Sequence, residues 1–335
     1  MKKNDLRNFC VAPMMGYTTP HARKLYRILS KNAFLFSEMI PSKTMLHSKT
    51  KDLIIDNNNN NPVALQVGGS DLKDLKMCAS IAKSYNYDEL NLNVGCPSKS
   101  VQKGNFGACL MLDKVLVRNC IESMQQISKI EISMKCRIGI GNNLNYEFFS
   151  DFINEVSKTG IRYIYIHARN AIMKGLSPKN NRTVPPLDYD FVSKIKIEHP
   201  SINFILNGGI ENIDQAYSLF NKYDGVMIGR LIQNNPFSLM QVDKLFYNKS
   251  YSNLSIEKII LEYFNYIRKK LGTDSTFRLL SPLLGILFAL PNSKKFKTEI
   301  QEIIKKNEIN VLEKLFLNFF NDSINNKKLV SNLVW

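Results

Sequence analysis

Apolar and β-branched residues gather in eight short runs between residues 9 and 228, separated by longer stretches with helical spacing. The runs are 9–14, 34–40, 62–68, 89–94, 132–137, 163–167, 203–207 and 225–228. Between them, 73–85 sets Leu75, Cys78, Ala79 and Ala82 on one helical face, and 115–127 and 148–159 read the same way. Strand, helix, strand, repeated eight times, predicts a parallel sheet and here a TIM (β/α)8 barrel in the α/β class. Beyond about residue 240 the pattern changes, and 256–271, 279–290, 296–306 and 311–320 predict helices, with Pro291-Asn292 as a break. The organisation expected is a barrel over residues 1–240 followed by a helical domain over 241–335. The asparagine-rich run 57–61 predicts a solvated loop before the third strand.

Nearly every predicted strand ends in a chemically loaded residue. Pro13-Met14-Met15 follows the first and Glu38 lies near the end of the second. Gln66 ends the third, and Asn93 with Cys96 the fourth. Lys135 and Arg137 end the fifth, His167 and Arg169 the sixth. Asn207-Gly208-Gly209 ends the seventh and Gly229-Arg230 the eighth. Barrel active sites sit at this C-terminal face, and stability alone does not account for a full ring of such residues.

Composition narrows the class. The 335 residues suffice for a barrel of about 250 residues plus an appendage. Hydrophobic residues make up 44%, enough to fill a large core. No apolar run approaches the ~20 residues of a membrane span, and the charged start Met1-Lys2-Lys3 lacks a signal-peptide core. A soluble, cytoplasmic protein with no membrane partner is expected. Six cysteines form no C-x-x-C pair and there are four histidines, so no metal site is expected. The net charge of +16, from 45 Lys and Arg against 29 Asp and Glu, suits a polyanionic partner. It is equally what an AT-rich, lysine-favouring genome would produce. Residues 243–335 carry 15 Lys and Arg against 9 Asp and Glu, so the helical part is itself basic.

Three groups carry chemistry. Asn207-Gly208-Gly209 and Gly229-Arg230 place glycines and an arginine after the seventh and eighth strands, where barrels often bind phosphate; each pair alone could be a structural turn. Lys135 is an inward cation at the barrel mouth, suited to the negative charge of a reduced flavin. His167 belongs beside it or in the core. In Asn93-Val94-Gly95-Cys96-Pro97 a cysteine stands on a tight loop just past a strand. A thiol with a reference pKa near 8.5 is mostly protonated at pH 7 and can donate, although a structural role fits as well.

Longer stretches carry a resemblance. They include Ala12-Pro13-Met14-Met15, Ser37-Glu38-Met39, Pro62-Val63-Ala64-Leu65-Gln66-Val67-Gly68-Gly69, Asn91-Leu92-Asn93-Val94-Gly95-Cys96-Pro97-Ser98, Lys135-Cys136-Arg137-Ile138-Gly139, Gly175-Leu176-Ser177-Pro178-Lys179-Asn180-Asn181-Arg182 and Asp224-Gly225-Val226-Met227-Ile228-Gly229-Arg230. Over about the first 240 residues the chain resembles the tRNA-dihydrouridine synthases, and within them the DusA-type subfamily. The resemblance implies FMN, contacted by Pro13, Met14, Met15, Gln66, Lys135, His167, Asn207, Gly208, Gly209, Gly229 and Arg230, with NADPH as reductant. It implies Cys96 as proton donor, Asn93, Gly95 and Arg137 at the uracil, and Lys179 and Arg182 on a tRNA-binding loop. The implied partner is the tRNA D-loop at positions 20 and 20a, met by a monomer. Two stretches depart from the family pattern: Gly16-Tyr17-Thr18-Thr19-Pro20-His21, and Ser281-Pro282-Leu283, which replaces a basic pattern near the C-terminus. The main alternative is another FMN-dependent barrel oxidoreductase acting on a small-molecule enone or pyrimidine. A third reading is an RNA-binding protein on a catalytically dead barrel.

Overall fold

A computed structural model of the chain describes residues 6–127, 129–250, 255–287 and 293–325. Each of the eight apolar runs forms a strand: β1 (Phe9–Val11), β2 (Leu35–Pro41), β3 (Val63–Gly68), β4 (Glu89–Val94), β5 (Glu131–Arg137), β6 (Tyr163–His167), β7 (Asn203–Asn207) and β8 (Gly225–Ile228). They pair in parallel in the order β1-β8-β7-β6-β5-β4-β3-β2. The seam between β1 and β2 is a single parallel bridge, Cys10 with Phe34, through Val11 N–H to Phe34 O at 2.8 Å and Phe34 N–H to Phe9 O at 2.9 Å. That bridge brings the two ends of the sheet together, giving the (β/α)8 barrel expected. The first strand is shorter than its apolar run. Pro13 has no amide hydrogen to continue a ladder, and Tyr17 and Thr18 instead donate backbone bonds back to Met14 O at 3.0 and 2.9 Å.

Two apolar clusters divide the core. One lies inside the barrel and includes Cys10, Ala12, Phe34, Phe36, Tyr165 and Met227. The other fills the shell between strands and helices and runs on without interruption into the C-terminal helices. Every residue of β4 is buried, although its sequence alternates polar and apolar. Leu90, Leu92 and Val94 join the shell, while Glu89, Asn91 and Asn93 form the polar set buried between.

The barrel helices are α1 (Pro20–Leu29), α2 (Leu72–Ser84), α3 (Lys114–Gln125), α4 (Tyr146–Ser157), α5 (Tyr189–Glu198), α6 (Ile213–Phe220) and the short α7 (Arg230–Asn234). Thr19, Asp71, Asp113, Asn145, Asp188 and Asn212 each accept a first-turn amide through the side chain, a cap worth about 1 kcal/mol. Each of these caps ends its own loop at a defined residue; α7, after β8, has no side-chain cap.

The asparagine-rich loop is a correction. Asn57 and Asn60 are buried rather than solvated. Arg27 donates to Asn60 O through Nε at 3.2 Å and Nη2 at 3.0 Å, and Asn57 Nδ2 donates to Asn86 O at 2.8 Å. Asn58 and Asn59 both adopt left-handed backbone with φ of 53°, which asparagine tolerates better than most residues. The repeated residue type reads as low complexity, but its short amides close a tight turn.

Past the barrel, α8 (Val242–Tyr247) is followed by α9 (Ile256–Lys270), α10 (Thr276–Ile286), α11 (Ser293–Lys305) and α12 (Ile309–Asn325). The expected break at Pro291-Asn292 and the end of the 279–290 helix lie outside the described residues. The polar clasp onto the barrel centres on His21 at the start of α1. Its Nδ1 lies 2.7 Å from Tyr266 Oη and its Nε2 3.0 Å from Asp274 Oδ2. Burial lowers the His21 pKa against the pull of Asp274. Lys270 pairs with Asp56 at 2.9 Å nearby. Among the described residues, no helix is long and apolar enough to cross a membrane.

Beneath the barrel, buried Asp243 closes the turn between α1 and β2. It accepts from Ser30 Oγ at 2.6 Å, Lys31 N–H at 2.7 Å and Asn32 N–H at 3.0 Å. Asp243→Ala should lose roughly 1–3 kcal/mol, because those buried donors lose their acceptor. Asp243→Asn, which keeps one carbonyl oxygen, should lose less. Urea denaturation measures both; an Ala variant within about 0.5 kcal/mol of the parent would show that the turn does not depend on this carboxylate.

Candidate active site

The C-terminal ends of the strands surround a cavity of about 480 Å³. Sixteen of the residues singled out from the sequence line it: Pro13, Met14, Met15, Gln66, Asn93, Gly95, Cys96, Lys135, Arg137, His167, Arg182, Asn207, Gly208, Gly209, Gly229 and Arg230. Lys179 does not; it lies exposed just before the short turn Asn180–Arg182.

The floor is built from β5, β6 and β7. Lys135 Nζ donates to Asn207 Oδ1 at 2.9 Å, and Asn207 Nδ2 donates to Met227 O at 2.7 Å. One amide thus ties β5 to β8 across β7. Burial and then the Arg137 charge push the Lys135 pKa down to about 7. Burial, followed by the Arg137 and Lys135 charges, holds His167 well below its ordinary value, so its imidazole is neutral at pH 7. Gly208 and Gly209 leave β7 at φ of 112° and 70°. A Cβ on Gly208 would lie 2.6 Å from the His167 ring, and one on Gly209 2.2 Å from Leu187. Only glycine fits there, and it leaves backbone N–H groups open to a ligand, the arrangement that suits a phosphate.

The opposite wall is the loop after β4. Asn93 Oδ1 accepts the amides of Cys96 at 3.0 Å and Gly95 at 3.3 Å, which curls the loop back over its own strand. Cys96 O accepts from Ala108 N–H at 2.9 Å. Gly107, at φ of 76°, permits this approach, since a Cβ would stand 2.6 Å from that oxygen. The Cys96 thiol is half-buried, with Ser98 Oγ 3.5 Å from its sulfur. Cys109 is also half-buried, but its sulfur donates to Phe106 O at 3.0 Å and it does not line the cavity.

Arg137 braces both walls. Nε donates to Gly95 O at 2.9 Å, and Nη1 to Asn170 O at 2.8 Å and Asn181 O at 3.0 Å. Its pKa is pushed down to about 10, first by burial, leaving it a cation at neutral pH. Asn181 pins the 177–187 loop by exchanging hydrogen bonds with the Ile172 backbone at 2.8 and 2.9 Å. Lys135, Arg137, Arg182 and Arg230 all line the cavity, and no carboxylate is among the lining residues described. Met14, Met15, Met39 and Met227 supply soft apolar surface. The result is an electropositive cup with flat apolar sides, fitted to a planar ligand bearing an anionic tail.

Sequence reasoning missed Tyr17, Ser98, Ser100 and Gln233, which also line the cavity. Ser98 and Ser100 follow Cys96 closely in the chain, but small hydroxyls near a loop carry no distinctive signal. Tyr17 stands 49% exposed at the mouth, in a stretch that departs from the family pattern.

The family profile described as Dihydrouridine synthase (Dus) matches residues 10–322. The tRNA-dihydrouridine(20/20a) synthase of Shewanella oneidensis is 40% identical over 306 residues, 91% of this chain and 91% of that one. The protein of the same name from Escherichia coli K12 is 39% identical over 309 residues, 91% of this chain and 89% of that one. Among solved structures, a 2-naphthoyl-CoA reductase complex superposes with a TM-score of 0.56 at 8% identity, over 71% of this chain and 50% of that one. That likeness is one of fold.

With a pKa near 7, Lys135 is half-neutral at pH 7 in the ligand-free protein, whereas the unfolded chain keeps it charged to about pH 10.4. Between those values the unfolded state binds more protons, so stability rises with pH across that window. Lys135→Met removes this dependence. Its stability advantage over the parent should be greatest below pH 7 and shrink toward pH 10, as urea midpoints would show. A difference independent of pH would mean that Lys135 does not change charge in this range.

Proposed function

The chain belongs to the dihydrouridine synthase family, and from that premise we propose that it reduces the C5–C6 double bond of uridine in tRNA, at positions 20 and 20a of the D-loop. In this reading FMN is the bound cofactor, NADPH its reductant, and the protein a cytoplasmic monomer. The enzyme is an oxidoreductase, as its family implies. One observation carries the proposal: a half-buried thiol, Cys96, faces the same cavity as a glycine cradle and a cationic lining free of carboxylates.

The residues present fit FMN. Gly208, Gly209, Gly229 and Arg230 would hold the phosphate, because at Gly208 and Gly209 a Cβ would collide with His167 or Leu187 and the backbone turns there without side chains. Pro13, Met14, Met15, Gln66, Lys135 and His167 would line the ring. Once reduced by NADPH, bound FMN would supply the hydride equivalent for C6 of uracil. Lys135 holds its proton at Nζ when negative charge collects beside it, because an adjacent anion raises a pKa that burial had lowered. Neutral His167 can donate a hydrogen bond without adding charge. Cys96 delivers the proton from Sγ to C5. Asn93 and Arg137 hold the uracil carbonyls, and Gly95 keeps the loop close against β5, where a Cβ would touch Cys136 and Lys135 backbone at 3.3 and 3.4 Å.

The uridine must leave its stack to enter the cavity, at roughly a few kcal/mol, less where the base is already looped out. Lys179 on the exposed loop and Arg182 at the cavity edge would meet tRNA phosphates. We assign catalysis to residues 1–240 and further tRNA contact to the basic helical part, 241–335. Pro282 is buried inside α10 and Leu279, Leu280 and Leu283 face the core, so this helix serves packing first.

Cys96→Ala should leave FMN binding and its reduction by NADPH intact. Single-turnover reoxidation of the reduced enzyme by tRNA, without oxygen, should slow by about 10²–10⁴-fold, the usual worth of a general acid. A rate within about threefold of the parent, far short of that range, would assign the proton to another group. Replacing Lys179 and Arg182 together by Ala should weaken tRNA binding and lower the salt slope by roughly 0.7–0.9 per lost phosphate contact. An unchanged slope would remove this loop from the phosphate footprint.

A further inference from the structure

Below the cavity, the barrel interior holds Arg7, Glu89, Ser133 and Asn91, polar side chains that the reaction leaves unexplained, joined to Gln66 and Asn93 in the cavity wall. Arg7 lies at the base with its guanidinium 3.8 Å from the Tyr163 ring centroid and 4.7 Å from that of Phe34. Its Nε and Nη2 each approach Glu89 Oε2 at 2.8 Å, and Tyr165 donates to the same oxygen at 3.2 Å. Glu89 Oε1 accepts from the Ser133 hydroxyl. Ser133 Oγ accepts from Asn91 Nδ2 at 2.6 Å, and Asn91 Oδ1 from Gln66 Nε2 at 2.8 Å. Gln66 Oε1 accepts from Asn93 Nδ2 at 2.8 Å, and Asn93 Oδ1 takes the amides of Cys96 and Gly95. Glu89, Asn91 and Ser133 are fully buried, so water does not reach them.

The direction of this chain is forced. Burial raises the Glu89 pKa, and Arg7 at 2.8 Å with the Ser133 and Tyr165 hydroxyls opposes that rise; beside the Arg7 cation Glu89 is the carboxylate, which only accepts. Ser133 has one hydrogen and gives it to Glu89, leaving a lone pair for Asn91 Nδ2. Asn91 must then turn Oδ1 toward Gln66, and Gln66 its Oε1 toward Asn93. Asn93 is left with its oxygen facing the Cys96 loop, where two backbone N–H groups need an acceptor. Every donor points toward Glu89, an arrangement in which each bond polarises the next.

We infer that Glu89 is a positioning residue for the Cys96 loop: its carboxylate, acting through Ser133, Asn91 and Gln66, sets the orientation in which Asn93 holds the backbone at Cys96. A reversed Asn93 would press its NH2 against the two backbone donors and release the loop. The catalytic consequence rests on the reading of Cys96 as proton donor; the positioning itself does not.

The test uses the full FMN-loaded chain with Glu89→Gln, Ser133→Ala, Asn93→Ala and the Glu89→Gln/Asn93→Ala double variant. Alkylation of Cys96 by iodoacetamide is followed site by site, with half-buried Cys109 as the internal reference. Glu89→Gln and Ser133→Ala should each change the Cys96 rate by about fivefold or more, as for residues coupled in one network, with Cys109 unchanged. In the Asn93→Ala background Glu89→Gln should add nothing, because the chain is already cut. A purely structural Glu89 would act with or without Asn93, and an equal effect in both backgrounds overturns the inference. Ser133→Ala keeps the Arg7–Glu89 pair, so it decides the matter if Glu89→Gln does not fold; an unchanged Cys96 rate in this variant also overturns it. Reoxidation by tRNA should slow in parallel in both variants. If the parent enzyme is not reoxidised by tRNA, the functional reading fails, while the alkylation rates still decide the positioning role.

Discussion

Inside a parallel barrel, an inward polar side chain has neither water nor a free sheet edge to turn to, so its partner has to stand on another strand. The Arg7–Glu89 pair is where that constraint bites hardest. A buried ion pair holds its own only when both charges are fully engaged. Here Glu89 accepts from Arg7, Tyr165 and Ser133, and the Arg7 guanidinium lies over two aromatic rings. The polar set Glu89, Asn91 and Asn93 on β4 follows from this anchor, as does the position of Ser133 on β5 and Gln66 on β3.

At the mouth of the same barrel the accounting is left open. Lys135, Arg137 and Arg230 meet amide and carbonyl oxygens rather than carboxylates. Among the described residues no carboxylate lines the cavity beside Lys135, Arg137 and Arg182, and burial lowers the pKa of each. The base of the barrel interior, at Arg7 and Glu89, is satisfied and the mouth is not, an asymmetry of the kind found at functional sites. The clasp of His21 with Tyr266 and Asp274 brings the helical part against the start of α1, close in sequence to Tyr17 at the cavity mouth.

Much of the fold was legible in the sequence because burial on both faces of a parallel strand writes short apolar runs, and helices between them write a 3.6-residue period. Strand ends were less legible. The 9–14 run stops pairing at Val11 because Pro13 cannot continue the ladder. The ring of residues at strand ends was also visible, and all of them except Glu38 and Arg169 do share one cavity. Lys179 stood in the same motif as Arg182, yet the turn at Asn180–Arg182 sends the two to different surroundings. Asn57 and Asn60 read as solvated because composition reports polarity, not partners, and their partners Arg27 and Asn86 lie far away along the chain.

The sequence by itself determined the order of strands and helices, the glycines that permit close approach after β7, and the set of side chains that end the strands. These depend on local backbone preference and on periodicity, which neighbouring residues carry. Only the tertiary structure decided that Arg7 meets Glu89 across 82 positions, that Lys135 donates to Asn207 across 72, and that Arg137 holds the carbonyls of Gly95, Asn170 and Asn181. A hydrogen bond needs its two atoms about 3 Å apart, and a linear sequence carries no such distance. Closing eight strands into a barrel is what supplies it, by turning alternate residues of distant segments onto one inner wall.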